Sequence, residues 1–130
     1  MQFPVFDHYT IKVSELSKSV AFYQQILELP AITNRTEKAH IRWFSLQCGE
    51  LHLVEGETKD IKTNVGVHLA IKISDFDAFM EHLKKNHITP HDSKGNPNSY
   101  TTRTDGVSQV YIQDPDQYWI EINNAQMQAE

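Results

Sequence analysis

Cysteine is nearly absent from this chain. One thiol, Cys48, stands in 130 residues, which excludes an internal disulfide and leads us to expect a reducing, cytoplasmic setting. Long apolar runs are missing too. None approaches the roughly 18 residues that span a bilayer as a helix, and the first residues carry no secretory pattern, so no membrane partner is expected. Positive charge is scarce and dispersed. Lys and Arg number 12 against 17 Asp and Glu, a net charge of −5. With no basic cluster, nucleic acid is not expected as a partner. What remains, at 39% hydrophobic and 22% charged residues, has the composition of a water-soluble globular domain, and the length suits one domain spanning 1–130.

Histidine is in mild excess, seven in all, and its placement is informative. Residues 6–13 read F-D-H-Y-T-I-K-V and residues 66–73 read G-V-H-L-A-I-K-I. At an offset of 60, His8 falls on His68, Ile11 on Ile71, Lys12 on Lys72 and Val13 on Ile73. Each copy alternates with period 2, as a strand with two different faces does. Tyr9, Ile11 and Val13 share one face, with Leu69, Ile71 and Ile73 as their counterparts. The other face carries His8, Thr10 and Lys12, and His68, Ala70 and Lys72.

A helix follows each copy. Residues 15–28 place Leu16, Val20, Tyr23 and Leu27 on one stripe, with Ser14 or Ser17 as cap and Pro30 as stop. Residues 75–87 do the same with Phe76, Phe79 or Met80, and Leu83, capped by Asp75. Strands are expected at 31–36, 40–47 and 51–54 in the first half, and at 107–113 and 118–123 in the second. In the second half a short strand and a long loop fill 88–106. Asp114-Pro115-Asp116-Gln117 is a turn, and the polar stretch 56–64 is a linker. Both halves, about 5–56 and 65–124, therefore read strand–helix–strand–strand–strand. Neither can close its own sheet, so two must pair within the chain or across a dimer.

The last strand of each half sets a ligand-type residue between apolar ones: Leu51-His52-Leu53 and Ile120-Glu121-Ile122. If the halves are related by a pseudo-twofold axis, His8, His52, His68 and Glu121 come from equivalent positions and converge. Three imidazoles and a carboxylate suit one divalent metal ion: Zn, Ni, Fe, Mn or Co. A carboxylate among Trp119, Ile120 and Ile122 also needs a cation or donors to offset its desolvation. His40, His82, His87 and His91 lack such support and read as surface residues. Gln109 and Tyr111 share the open face if Val110 and Ile112 face the helices, and Trp43 and Ser45 do if Phe44 and Leu46 do. Tyr111, Gln109, Trp43 and the loop residue Arg103 are thus candidate substrate contacts.

D-H-Y-T-I-K-V with the following Ala21-Phe22-Tyr23, then G-V-H-L-A-I-K-I and D-P-D-Q-Y-W-I-E-I, resembles the vicinal oxygen chelate superfamily. That group includes glyoxalase I, bleomycin and fosfomycin resistance proteins, methylmalonyl-CoA epimerase and extradiol dioxygenases. The resemblance implies an α+β fold, two βαβββ modules in a cupped mixed sheet with helices on its outer face, around a metal. The usual ligand positions fall on His8, His68 and Glu121. Where bacterial glyoxalase I has a glutamate, this chain has His52, and Gln117 replaces the usual turn glycine.

The first functional expectation is a metal-dependent lyase or isomerase acting on a small substrate that chelates through two adjacent oxygens, with Glu121 moving the proton. An extradiol-type Fe(II) dioxygenase, a fosfomycin-resistance-like thiol transferase and a bleomycin-resistance-like binding protein are the alternatives. A homodimer is expected, because many short members of the superfamily pair their modules across subunits.

Overall fold

The computed structural model describes residues 2–126. The chain divides between Ile61 and Lys62 into two compact units, and each is an α+β module of order β–α–β–β–β. In the first, β1 (His8–Val13) buries Ile11 and Val13 and exposes Thr10 and Lys12. Tyr9, expected on the buried face, is 37% exposed. It stands at the start of the strand, before the helix covers that face. The helix α1 (Leu16–Gln25) has Glu15 as N-cap residue, which makes no side-chain cap bond. The Glu55 carboxylate accepts from the Leu16 amide at 2.8 Å, placing a negative charge at the positive end of the helix.

The buried residues of this segment are Leu16, Ser19, Phe22, Tyr23 and Ile26, while Val20 and Leu27 are only half-buried. The expected stripe is thus rotated by one position. The helix has only ten residues, so Leu27 lies beyond its end, and a serine small enough to let the backbone approach takes the sheet-facing place. Glu28, at φ 53°, already turns the chain out of the helix ahead of Pro30. Next, β2 (Ala31–Ile32) is two residues long where 31–36 was expected. Asn34 explains the difference: its Oδ1 accepts from the Thr36 amide and hydroxyl, and its Nδ2 donates to the carbonyls of Lys38 and Ile41. Such local bonds outcompete strand pairing whatever the β-propensity of Thr33 and Thr36. Then β3 (Ile41–Ser45) and β4 (Glu50–Glu55) complete a sheet of order β1-β4-β3-β2, in which β1 runs parallel to β4 and the other pairs are antiparallel.

The second unit repeats the plan. Its strands are β5 (His68–Lys72), β6 (Thr101–Thr102), β7 (Ser108–Gln113) and β8 (Trp119–Asn123), in the order β5-β8-β7-β6 with β5 parallel to β8. The helix α2 (Phe76–Lys85) is capped by Asp75, whose side chain accepts from the Ala78 amide at 2.9 Å, and it buries Phe76 and Leu83. It ends with His87 at φ 58°, the His87 amide donating to Lys84 and the Ile88 amide to Leu83, the bond pattern of a Schellman cap. The Asp114–Gln117 turn closes through the Gln117 amide to the Asp114 carbonyl at 2.9 Å, with Gln117 itself at φ 70°. No helix among the described residues is long and apolar enough to cross a membrane.

Register makes the two sheets equivalent. Thr10, His52 and Trp43 lie in one row across β1, β4 and β3; Ala70, Glu121 and Tyr111 lie in the matching row across β5, β8 and β7. On the helix-side face Leu51, Leu53 and Phe44, and Ile120, Ile122, Val110 and Ile112, are each 1% exposed or less.

Candidate functional site

In the second unit, alternation along β8 aims Glu121 at the face away from α2, and the side chain is buried. Its carboxylate is held from several directions. The Tyr111 hydroxyl, directly opposite on β7, donates to Oε1 at 2.8 Å, and Asn123 Nδ2 donates to Oε2 at 2.6 Å. Burial by itself would push the Glu121 carboxyl up. Hydrogen bonds from Asn123, Tyr111 and Gln109, with His68 close by, outweigh it and hold the group below the usual carboxylate range. Tyr111 shows the reverse: burial first, then its bond to Glu121, pushes the phenol up to about 12.

His68 stands diagonally across from Glu121, with Nε2 at 3.3 Å from Oε1. The other ring nitrogen, Nδ1, is 2.7 Å from the Val65 carbonyl. A carbonyl only accepts, so Nδ1 carries the proton and Nε2 is the nitrogen turned toward the carboxylate. A lone pair and an anionic oxygen facing each other at this separation call for a positive charge: a proton on Nε2 or a cation shared by both atoms. Ala70, the residue paired with Glu121 on β5, adds no bulk there.

The first unit stacks rings. His52, on the central strand β4, lies between Trp43 of β3 (ring centroids 4.1 Å apart, planes 4° apart) and His8 of β1 (4.2 Å, 13°). The Arg35 guanidinium lies 4.6 Å from the Trp43 ring centroid and extends the column. His52 Nε2 donates to Glu50 Oε1 at 2.8 Å, and Glu50 Oε2 is 3.8 Å from Arg35 Nη2. His8 Nδ1 donates to Asp7 Oδ2 at 2.5 Å; that bond is the main reason the Asp7 carboxyl sits below its usual range. It leaves His8 Nε2 open. Imidazole lone pairs lie in the ring plane, so two nearly parallel rings in contact do not aim at one ion in these rotamers.

Among the described residues no three His, Cys, Asp or Glu side chains gather to hold a metal. The donor chemistry nevertheless fits a divalent ion. His68 and Glu121 each have their remaining polar atoms engaged by protein groups, the outer hydrogen bonding that orients metal ligands, and Asp7 does the same for His8.

The other expected residues are dispersed. Trp43 is buried, with His52 and Arg35 against its ring. Gln109 reaches Glu121. Arg103 sits in the β6–β7 turn, its guanidinium engaged by both carboxylate oxygens of Asp105. Two residues went unseen in the sequence. Glu50 gave no signal, because a carboxylate two residues before His52 looks like ordinary strand alternation. His91, read as a surface residue, is half-buried: its backbone pairs both ways with Tyr111, its ring meets Trp119 edge-on at 4.9 Å, and Nδ1 is shielded with no hydrogen-bond partner. It lies in the irregular 88–106 stretch, where no periodicity assigns a face.

The sequence profile of the Glyoxalase/Bleomycin resistance protein/Dioxygenase superfamily matches residues 5–122. The chain belongs to this superfamily. No curated protein matches it in sequence, but solved structures share its fold. The fosfomycin resistance protein FosX from Mesorhizobium loti is 17% identical, with a TM-score of 0.70 over 98% of this chain and 96% of that one. Lactoylglutathione lyase from Agrobacterium tumefaciens is 16% identical, with a TM-score of 0.68 over 93% of each chain. The oxidase ChaP-H2 is 18% identical, with a TM-score of 0.76 over 99% and 98%. Superfamily members are mostly enzymes, generally bind a divalent metal and commonly form dimers.

Proposed function

We propose that the chain is a metal-dependent lyase or isomerase of the glyoxalase superfamily, acting on a small substrate that presents two adjacent oxygens. The observation that carries this reading is the His68–Glu121 pair. An imidazole nitrogen and a carboxylate oxygen face each other at 3.3 Å with their outer atoms already bonded to protein. His8, whose Nε2 the Asp7 bond leaves open, is the third ligand, and His52 belongs to the wall beside it. When bound, the divalent ion supplies Lewis acidity that lowers the energy of the charge developing on a chelated oxygen.

The protein's part follows from the hydrogen bonds. Glu121 is the carboxylate on this face able to carry a proton from the substrate, but the Asn123 and Tyr111 donors lower its basicity. It serves as ligand first, and gains basicity when the Tyr111 hydroxyl turns its proton toward a substrate oxygen. Gln109 and Trp119 border the same face. Turnover without oxygen is the outcome this reading expects, with dioxygenation as the alternative it is tested against. The exposed apolar residues before β1, Phe3 at 92%, Val5 at 86% and Phe6 at 50%, suit burial by a second copy of the chain.

The test is steady-state turnover of metal-loaded protein on hydroxy-ketone, hemithioacetal and catechol panels, with and without oxygen. Metal-dependent turnover of the first two under anaerobic conditions is expected. Activity confined to catechols and abolished by removing oxygen would overturn the lyase reading for the dioxygenase one.

A further inference from the structure

Glu50 enters none of the chemistry above, yet it sits at the node of the ring column. Its Oε1 holds His52 Nε2 at 2.8 Å, its Oε2 approaches Arg35, and Arg35 in turn lies over Trp43. The column Arg35–Trp43–His52–His8 is therefore tied across by one carboxylate. His52 is 8% exposed and touches a ring on either side. The rings on its two faces hold the plane of this imidazole but leave open which way it is flipped about its Cβ–Cγ bond, and Glu50 fixes that choice. Because a carboxylate accepts, the bond assigns the proton to Nε2 and fixes which edge of the ring points where.

We propose that Glu50 is a positioning residue: by anchoring His52 it fixes the flip state and in-plane position of the ring against which His8 lies, and so the direction in which His8 Nε2 is presented. His52, expected from the sequence as the fourth ligand, is on this proposal a spacer between Trp43 and His8, held in place by Glu50. The inference rests on the reading of His8 as a metal ligand; Glu50 acts one contact beyond the partners that bond a ligand directly and change metal affinity about 10–100-fold, so its effect falls below that range.

The experiment uses the full-length protein and three variants: Glu50→Leu, which removes the anchor at similar size, Glu50→Gln, which keeps an acceptor oxygen, and His8→Ala. Two readouts are taken. Long-range 1H–15N spectra of the metal-free protein report the tautomer of His52 and the ring-current shift of His8. Competition against a chromophoric chelator reports the Kd for Zn and Mn. In Glu50→Leu, His52 is expected to lose its single tautomer, His8 to lose its ring-current shift, and metal affinity to fall by less than about 10-fold, with Glu50→Gln restoring most of both. Unchanged His8 shifts in Glu50→Leu would overturn the proposal. So would unchanged affinity there when His8→Ala abolishes binding. If His8→Ala binds metal as tightly as the parent, the ligand reading fails instead, and the shifts still decide whether Glu50 positions His8.

Discussion

The hydrogen-bond donors on Glu121, namely Asn123, Tyr111 and Gln109, make a pH-dependent contribution with a definite sign. Its native carboxyl lies below the ordinary range, so its stabilisation is present above the unfolded value of about 4.3 and is lost as pH falls through the lowered native value. Tyr111, raised to about 12, stabilises the fold at pH below about 10, and that contribution is lost as pH rises through about 12. Tyr111→Phe removes one donor and the phenol together. We expect it to cost about 1–3 kcal/mol at neutral pH, and to flatten both the acid and the alkaline limbs of stability measured by urea unfolding. Steeper limbs than in the parent would contradict this account. Glu121→Gln is expected to keep metal but lose turnover, since an amide oxygen can coordinate while the group cannot accept a proton; equal losses in both would remove Glu121 from the proton path. The candidates His8, His68 and Glu121 were legible in the sequence because strand alternation assigns a face to each. The ring column was not, since stacking depends on which strands adjoin, and His52 meets Trp43 and His8 only because β4 lies between β3 and β1.

At the scale of elements, the helix ends hold what the sequence hid. Nothing local marks Glu55 as the partner of the Leu16 amide, because the two are 39 residues apart. Glu55→Ala is expected to cost about 1 kcal/mol, read as a lower thermal midpoint, and a substitution at Ser17 far less. The helix α2, with Asp75 and the Leu83 position both readable from spacing, behaves as its sequence suggests. The Asp114–Gln117 turn was equally legible, and its strain is local: Gln117 holds φ 70°, which costs a residue with a Cβ about 1–2 kcal/mol. Gln117→Gly should raise stability by up to about 1 kcal/mol after its greater unfolded-state freedom is set against that gain. A drop would show that the side chain does more than occupy the turn. Gly49 is the opposite case. A Cβ there would come within 2.9 Å of the Asp7 carbonyl and 2.3 Å of the Phe6 ring, so Gly49→Ala is expected to shift the segment that delivers His8 and to weaken metal binding.

Across the whole chain, the offset of 60 that relates His8 to His68 proved to be a structural repeat: both sheets have the same strand order and the same register. That much follows from patterning, because period-2 strands and short amphipathic helices recur in the same order. Residues His52 and Glu121, or Trp43 and Tyr111, occupy matching rows yet do different work, one row stacking rings and the other bonding a carboxylate. Sedimentation of the metal-loaded protein is expected to give a dimer at micromolar concentration. A 15 kDa species with metal still bound would refute the paired assembly.

The parallel pairing of β1 with β4 has a consequence for the order in which structure forms. The strands β2, β3 and β4 follow one another closely and can assemble as a meander, whereas β1 must wait for the chain between it and β4 to be gathered in. Among the described residues it sits at its sheet's edge, joined to β4. His8 therefore rides on an edge strand that is gathered in late. An ion held by His8 would act as a latch on that strand, slowing its opening in proportion to occupancy. Amide exchange resolved by residue would show it: metal should protect Ile11 and Val13 markedly and leave Leu53 almost unchanged.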